Sequence, residues 1–349
     1  MESVKISSIV PIYNAVSNGR LRKLLNCLKN QTIKEIEFIL VFDSPTDNSI
    51  EEAKIVIGND NRFIFIENDK NLHIGRSRNK GLSFAKGEYV AFADDDDLLK
   101  PDMYKNLYEV AKKNNADVVV SPAIFNNQGE ESIEFFDYDA PDLQQYFIDR
   151  LVGEISEDEK KSEPYPYLWG NGNMWNKIFR RSVIVHHHIQ FVDTRYCCFE
   201  DVLFQLEFFC NAVTVVSDPT PYYTHIYYNN RSNTSMSEGY NSDLSRCNFL
   251  SNLLELHLSY PERISKDRTE KKVLDTLMNI YPRVLNHSIS TAIKLQKCFK
   301  SGHLNYLIGW YPSYIREYVL KTKMHYLHYI IILKILLIVS YGKNICSLR

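Results

Sequence analysis

The stretch Tyr89-Val90-Ala91-Phe92-Ala93-Asp94-Asp95-Asp96-Asp97 is an apolar run that ends in four consecutive aspartates. The run is typical of a buried strand, and open α/β sheets build their ligand sites at the carboxyl ends of their strands. Four adjacent carboxylates repel one another, so their negative charge must be compensated by solvent, a counter-charge or a metal cation. We interpret the stretch as the metal and phosphate end of an active site. The alternative is an acidic surface turn that caps the helix after Pro101.

Strands and helices alternate on both sides of this stretch. Short apolar runs predict buried strands at residues 6–12, 37–42, 63–67 and 117–121. Amphipathic or capped segments between them predict helices at residues 21–30, 50–57, 75–86 and 103–114, with Gly87 as a C-cap. This alternation predicts an α/β fold with a mostly parallel central sheet, Rossmann-like, and helices on both faces.

The pattern loosens after residue 126. Residues 169–179 are aromatic and rich in Gly and Asn, which favours a binding wall over a regular element. A helix is predicted to begin at Glu200, strands at residues 213–217 and 222–228, and helices beyond residue 241. We therefore predict domains at residues 1–237 and 238–302, the second a C-terminal helical extension, followed by a basic tail at 303–349.

The tail contains an almost wholly apolar stretch at residues 326–341, interrupted by Lys334. It is shorter than the roughly 20 residues of a spanning helix, so we predict a helix lying in a membrane interface. A buried C-terminal helix packed on the body is the alternative.

Composition narrows the function classes. The formal net charge is -2, which gives nucleic-acid binding no electrostatic support. Seven cysteines without a C-x-x-C pair indicate reduced thiols and a cytoplasmic protein. The first strand begins within a few residues of Met1, without a basic region and long apolar core, so we expect no signal peptide.

Seven short motifs occur in one order along residues 4–237. They are Ser8-Ile9-Val10-Pro11-Ile12-Tyr13-Asn14, Asp43-Ser44-Pro45-Thr46-Asp47-Asn48-Ser49, Arg78-Asn79-Lys80-Gly81, the Phe92 to Asp97 run, Asn176-Lys177, Glu200-Asp201-Val202-Leu203-Phe204, and Arg231 with Ser235-Met236-Ser237. Together they resemble the family 2 inverting glycosyltransferases with the GT-A fold.

The resemblance implies a donor side for the site. Asp96 is the second acid of the family's Asp-x-Asp motif and the expected ligand of Mn²⁺ or Mg²⁺, and carboxylate oxygens suit such a cation. Asp94 is expected toward the ribose or metal-bound water, with Asp95 between them on the donor side. The other expected donor-binding residues are Pro11 and Tyr13 at the end of the first strand, Asp43 for the uracil ring, and Arg78 for the diphosphate.

The resemblance also implies an acceptor side. Asp201 matches the base that removes the proton of the acceptor hydroxyl, although a first-turn acid favoured by the helix dipole is the alternative. Glu200 is expected beside it. Trp169, Asn173 and Trp175 are candidate acceptor contacts, with aromatic core packing as the alternative. His225 is a candidate metal ligand, and Arg231 a candidate phosphate contact.

These expectations add up to a metal-dependent inverting glycosyltransferase. The predicted donor is a nucleoside-diphosphate sugar, with UDP favoured, and the predicted acceptor is a hydroxyl of a glycan or lipid-linked glycan in surface polysaccharide, such as lipopolysaccharide or capsule. The predicted location is the inner face of the cell membrane, as a peripheral protein. A sugar nucleotidyltransferase, and a non-catalytic glycan or lipid-carrier binding protein that retains the fold, are the alternatives.

Overall fold

The computed structural model describes residues 3–134, 136–152, 172–227, 243–267 and 269. The chain divides into two compact units, the first spanning residues 1–195 and 199–240 and the second spanning 196–198 and 241–349. The domain boundaries at residues 237 and 302 stay predictions.

The first unit alternates strands and helices as predicted. Its strands are β1 (Ile6–Ile12), β2 (Ile36–Phe42), β3 (Phe63–Glu67), β4 (Tyr89–Phe92), β5 (Leu98–Leu99), β6 (Val118–Val120), β7 (Ala123–Asn127), β8 (Glu130–Ile133), β9 (Lys177–Arg180), β10 (Val215–Ser217) and β11 (Tyr223–Tyr227). Its helices are α1 (Arg20–Lys29), α2 (Ser49–Ile57), α3 (His73–Phe84), α4 (Met103–Asn114), α5 (Leu143–Val152), α6 (Arg181–His186) and α7 (Glu200–Asn211), and a 3-10 turn at Ser17–Gly19 precedes α1.

The central sheet has seven strands in the order β10-β6-β9-β4-β1-β2-β3. All neighbouring pairs are parallel except the two that β9 makes, with β4 and with β6. This confirms the predicted mostly parallel α/β sheet. Because β1 and β4 are parallel neighbours, the loops that follow them meet at one edge of the sheet.

Helices cover both faces of the sheet, as predicted. Alternate residues of β1, such as Ile6 and Val10, belong to one buried cluster with Leu24 of α1 and Leu107 of α4. On the opposite face, Ile9 contacts Gly81 of α3 so closely that a Cβ there would lie 2.5 Å from Cγ2 of Ile9.

Three expectations fail locally. Residues 169–179 are not wholly irregular, because β9 begins at Lys177 and inserts antiparallel between β4 and β6. The looser region after residue 126 contains the end of β7, then β8 and α5. Helix α3 ends at Phe84 with Ala85 as its C-cap, so Gly87 is not the cap. Gly87 instead lies against β1, where a Cβ would come 2.5 Å from the backbone nitrogen of Ser7.

A second sheet, in the order β5-β11-β7-β8, stands beside the end of β4. Strand β5 follows the four aspartates directly and pairs antiparallel with β11, as Leu99 pairs with Tyr223. Strand β11 in turn pairs parallel with β7. This small sheet therefore carries His225 to the edge at which the aspartates lie.

The second unit contains α8 (Asp243–Ser259), as the helical periodicity beyond residue 241 predicts. Within this unit Asn248 donates from Nδ2 to the carbonyl of Tyr196 at 2.6 Å. No helix of the described residues has the length and apolar character to cross a bilayer. The basic tail at 303–349 lies outside the described residues, so its membrane contact stays a prediction.

Candidate active site

The four aspartates form a loop at the end of β4, here called the acid loop (residues 94–97), and each has a different set of contacts. Asp94 is partly exposed, and its backbone N–H donates to the hydroxyl of Tyr223 at 3.1 Å. Asp96 is buried, with Oδ2 3.5 Å from Nη1 of Arg20. The loop is therefore not a solvated surface turn, because two of its four side chains, those of Asp96 and Asp97, are almost completely buried.

Asp95 connects the acid loop to the end of β1. Its Oδ2 accepts a hydrogen bond from the backbone N–H of Tyr13 at 3.0 Å. Burial first, and then the neighbouring charges of Asp96 and Asp94, raise the pKa of Asp95 to about 8. Crowded carboxylates of this kind are stabilised by a bound cation.

Asp97 holds β11 rather than capping a helix. It is fully buried, and its Oδ1 accepts a hydrogen bond from the backbone N–H of Ile226 at 3.0 Å. Its Oδ2 lies 3.1 Å from Nδ1 of His225. A carboxylate on Nδ1 orients the imidazole and directs Nε2 away from it, which is the usual support of a metal-binding histidine.

Arg78, on α3, joins the acid loop to the beginning of α7. Its side chain is buried, with Nη2 donating to Oδ1 of Asp94 and Nη1 to Oε1 of Glu200, each at 3.1 Å. Burial opposes the charge, but Asp94 and Glu200 together raise the pKa of Arg78. The predicted diphosphate contact of Arg78 stays a prediction, and the observed contacts are those of a structural bridge.

Asp201 lies in the first turn of α7, next to Glu200. Burial raises its pKa, although the charge of Arg78 acts in the opposite direction. Gly172 approaches it closely, since a Cβ there would lie 3.0 Å from Oδ2 of Asp201. Gln205 holds this approach by donating from Nε2 to the carbonyl of Gly172 at 2.7 Å. A carboxylate with a raised pKa is suited to accept a proton near neutral pH.

Asp43 ends up at the same edge of the sheet, just after β2. It is buried, and its Oδ1 accepts hydrogen bonds from Nδ2 of Asn68 and from the backbone N–H of Leu72, both at 2.7 Å. Both bonds use the same oxygen. The expected contact of Asp43 with a base stays a prediction. Pro11, buried in β1, lies at this edge as well.

The predicted acceptor residues separate into three cases. Trp175 was predicted to contact the acceptor, but the structure shows the alternative of core packing. It is buried, and its ring stacks on Tyr223 at 4.4 Å and on His225 at 5.5 Å between centroids. Asn173 is half-buried, and its Nδ2 has no hydrogen-bond partner within the described residues. Trp169 and Arg231 lie outside the described residues.

Lys177, in the Asn176-Lys177 motif, supports the site from below the surface. It is buried at the start of β9, where Nζ donates to the carbonyl of Asn173 and to Oδ1 of Asn176. Burial lowers its pKa to about 7. Arg20, beside Asp96, has no signal in the sequence, because only the fold brings the start of α1 to the acid loop.

The donor set fits a divalent cation that is completed by substrate. No group of three or more His, Cys, Asp or Glu side chains in the described ranges is arranged to hold a metal ion alone. Mg²⁺ is usually bound through one or two carboxylates together with substrate phosphates and water, rather than by an all-protein cage. Asp96, with His225 as a further candidate, would supply the one or two protein ligands that such a site needs.

Comparison with known proteins agrees with the observed fold. The fold is similar to S. aureus TarS 1-349 in complex with UDP-GlcNAc, at a TM-score of 0.59 and 19% identity, covering 87% of this chain and 80% of that one. The complex of the same protein with UDP gives a TM-score of 0.51, at 19% identity over 87% of this chain and 92% of that one. These similarities define the GT-A fold.

Sequence relatives are glycosyltransferases by name. The putative glycosyltransferase EpsH of Bacillus subtilis (strain 168) is 27% identical over 293 residues, 81% of this chain and 77% of the relative. The cholesterol galactosyltransferase of Borreliella burgdorferi is 30% identical over 246 residues, 69% of this chain and 65% of the relative. Residues 7–167 match the model of glycosyl transferase family 2. This part of the chain belongs to that family, and the protein is a glycosyltransferase.

Proposed function

We propose that this glycosyltransferase is inverting and uses a divalent cation, Mn²⁺ or Mg²⁺. It moves a sugar from a nucleoside-diphosphate sugar, with UDP favoured, to a hydroxyl of a glycan or lipid-linked glycan acceptor. The observation that carries the proposal is the chain of contacts from Asp94 through Arg78 to Glu200, next to Asp201. This chain links the donor acids with a half-buried carboxylate suited to act as a base.

The donor side is supported by four carboxylates at one edge of the sheet. Asp43 offers Oδ2 to a base, and the TarS structures with the same fold hold UDP-GlcNAc and UDP. Asp96 would hold the cation, which when bound supplies positive charge to the diphosphate leaving group. Asp94 and Asp95 line the same loop, on the side expected to face the ribose.

The acceptor side is supported by Asp201. In an inverting transfer, the acceptor oxygen attacks the anomeric carbon as its proton passes to Asp201, and the bond to the diphosphate oxygen breaks on the opposite face. The raised pKa of Asp201 places this carboxylate closer to the pH at which it must take a proton. Asn173 follows Gly172, which lies against Asp201, and stays a candidate contact for the acceptor.

Two substitutions separate the donor role from the base role. Asp96→Asn should abolish Mn²⁺-dependent binding of UDP in calorimetry. Asp201→Asn should retain that binding and lower turnover by about 10²–10⁴. Asp102→Asn is the matched control, since Asp102 is exposed five residues beyond the acid loop. Unchanged UDP affinity in Asp96→Asn would remove the metal assignment, and full turnover in Asp201→Asn would remove the base.

The donor and location have their own tests. A thermal-shift panel of nucleotide sugars, with and without Mn²⁺, should show stabilisation by the true donor, because a ligand that binds the folded state raises its stability.

Deletion of residues 326–349 should release the protein from anionic vesicles. Retention of binding after the deletion would contradict peripheral attachment through the tail.

A further inference from the structure

Arg20 lies between the loop after β1 and the acid loop. It is the first residue of α1, and its Nη1 is 3.5 Å from Oδ2 of Asp96. Its side chain is only 18% exposed. Nothing in the expected donor site gives this arginine a role, although it is paired with the carboxylate expected to hold the cation.

The rest of the guanidinium is anchored to its own turn. Nε donates to the carbonyl of Ser17 at 3.2 Å, and Nη2 donates to Oγ of Ser17 at 3.0 Å and to the carbonyl of Asn14 at 3.5 Å. These bonds keep the group beside the acid loop whether or not Asp96 is its partner. The Nη1 end is the part of the guanidinium that faces Asp96.

A divalent cation and a guanidinium compete for the same carboxylate oxygen. Once Asp96 holds a cation, repulsion between the two positive charges favours turning Nη1 away from Oδ2. The expected diphosphate lies on the same side, since it completes the cation's ligands. A planar guanidinium suits phosphate oxygens because it presents several donors in one fork.

We propose that Arg20 is a donor-binding residue that pairs with Asp96 when no cation is bound and contacts the diphosphate once a cation occupies Asp96. The proposal rests on the proposed donor and metal assignment. It predicts that this one side chain has opposite effects on two binding affinities. Arg20 weakens the binding of the cation alone and strengthens the binding of the nucleotide with the cation.

The test measures both affinities in Arg20→Gln. Titration of Mn²⁺ without nucleotide, followed by the EPR signal of the free ion, should show affinity about two- to fivefold higher than in the wild type, the range of a partly exposed ion pair. Calorimetric titration of UDP at saturating Mn²⁺ should show affinity about tenfold lower or more, because a charge-assisted hydrogen bond is lost. Uridine should bind the variant as it binds the wild type, since it has no phosphate.

Arg22→Gln is the matched control on the same helix. Arg22 is half-exposed, and its Nε lies 2.6 Å from Oε1 of Glu52, away from the acid loop. This variant should change neither affinity. If Arg20→Gln does not fold, Arg20→Lys carries the test. An ammonium lacks the planar fork with which a guanidinium binds phosphate oxygens, so UDP affinity should still fall several-fold.

The outcomes separate this inference from the proposed function. Wild-type protein that binds no UDP with Mn²⁺ would overturn the donor assignment and the role of Arg20 with it. Wild-type binding together with unchanged constants in Arg20→Gln, or with both constants shifted in one direction, would overturn only the role of Arg20.

Discussion

The guanidinium of Arg78 donates from Nη1 to Oε1 of Glu200 at 3.1 Å, and both side chains are almost fully buried. The remaining amino group of Arg78 holds Asp94. One cation of α3 therefore joins the acid loop to the first turn of α7, where Asp201 lies. The placement of the candidate base relative to the donor acids depends on this bridge.

Arg78→Met should lower the free energy of unfolding by about 3–5 kcal/mol, because Glu200 would remain buried without its charged partner. Adding Glu200→Gln should recover part of the loss, since the uncompensated charge is removed. Urea denaturation measures both variants. Arg76→Met is the control, as Arg76 is nearly half-exposed and 3.7 Å from Asp193. Equal, small losses in Arg78→Met and Arg76→Met would show that the bridge contributes little to stability.

Lys177 should make stability depend on pH. Its pKa is lowered from 10.5 to about 7 by burial, so between these values the unfolded chain binds a proton that the folded chain does not. Stability from this group therefore rises with pH from about 7 toward 10.5, by up to about 1.4 kcal/mol per pH unit. Lys177→Met should remove that slope.

The measurement is the difference in unfolding free energy between wild type and Lys177→Met at several pH values from 7 to 9.5. Lys29→Met is the matched control, because Lys29 also donates to a backbone carbonyl, that of Val56 at 2.6 Å, but is not at the site. A difference that does not change with pH would mean that Lys177 stays charged in the fold.

Asp97→Asn tests whether His225 is a metal ligand. The asparagine can still accept from the N–H of Ile226, but it loses the charge that orients the imidazole. We expect the apparent affinity for Mn²⁺ in the presence of UDP to fall about 10–100-fold. Asp218→Asn is the control, a buried carboxylate that accepts from the hydroxyl of Tyr222 at 3.1 Å. Unchanged Mn²⁺ affinity in Asp97→Asn would leave His225 a purely structural residue.

Gly87→Ala should destabilise the fold by about 3 kcal/mol, at the upper end for overpacking, because the new Cβ meets backbone atoms that cannot rotate away. The nearest are the nitrogen of Ser7 at 2.5 Å and the carbonyl carbon of Ile6 at 2.7 Å. Gly19→Ala is the comparison. Its Cβ would meet no atom within 4 Å, and its left-handed φ of +64° and ψ of 23° cost about 1 kcal/mol. If Gly87→Ala loses no more than Gly19→Ala, β1 can shift to accept the methyl group.

Local patterns predicted the first half of the fold closely. Strands β1 and β3 and helix α4 have the bounds that their local patterns indicate. Strand β1 is buried along its whole length, and the buried residues of α4 recur at helical spacing. Strand β9 was not predicted, because it is short and depends on pairing with β4 and β6, which lie far away along the chain. The stacking of Trp175 on Tyr223 could not be predicted from local patterns either, because the two residues lie 48 positions apart.

The sequence by itself determined the class of fold and the run of acids at the end of a strand, because both depend on local periodicity and on the repulsion of adjacent like charges. Only the tertiary structure decided what each acid does. Asp95 is bonded to the loop after β1, Asp96 lies beside Arg20, and Asp97 holds β11. Asp94 is joined through Arg78 to the start of α7. These partners lie up to 129 residues away along the chain, and only the folding of the sheet brings their charges and hydrogen-bond donors within reach.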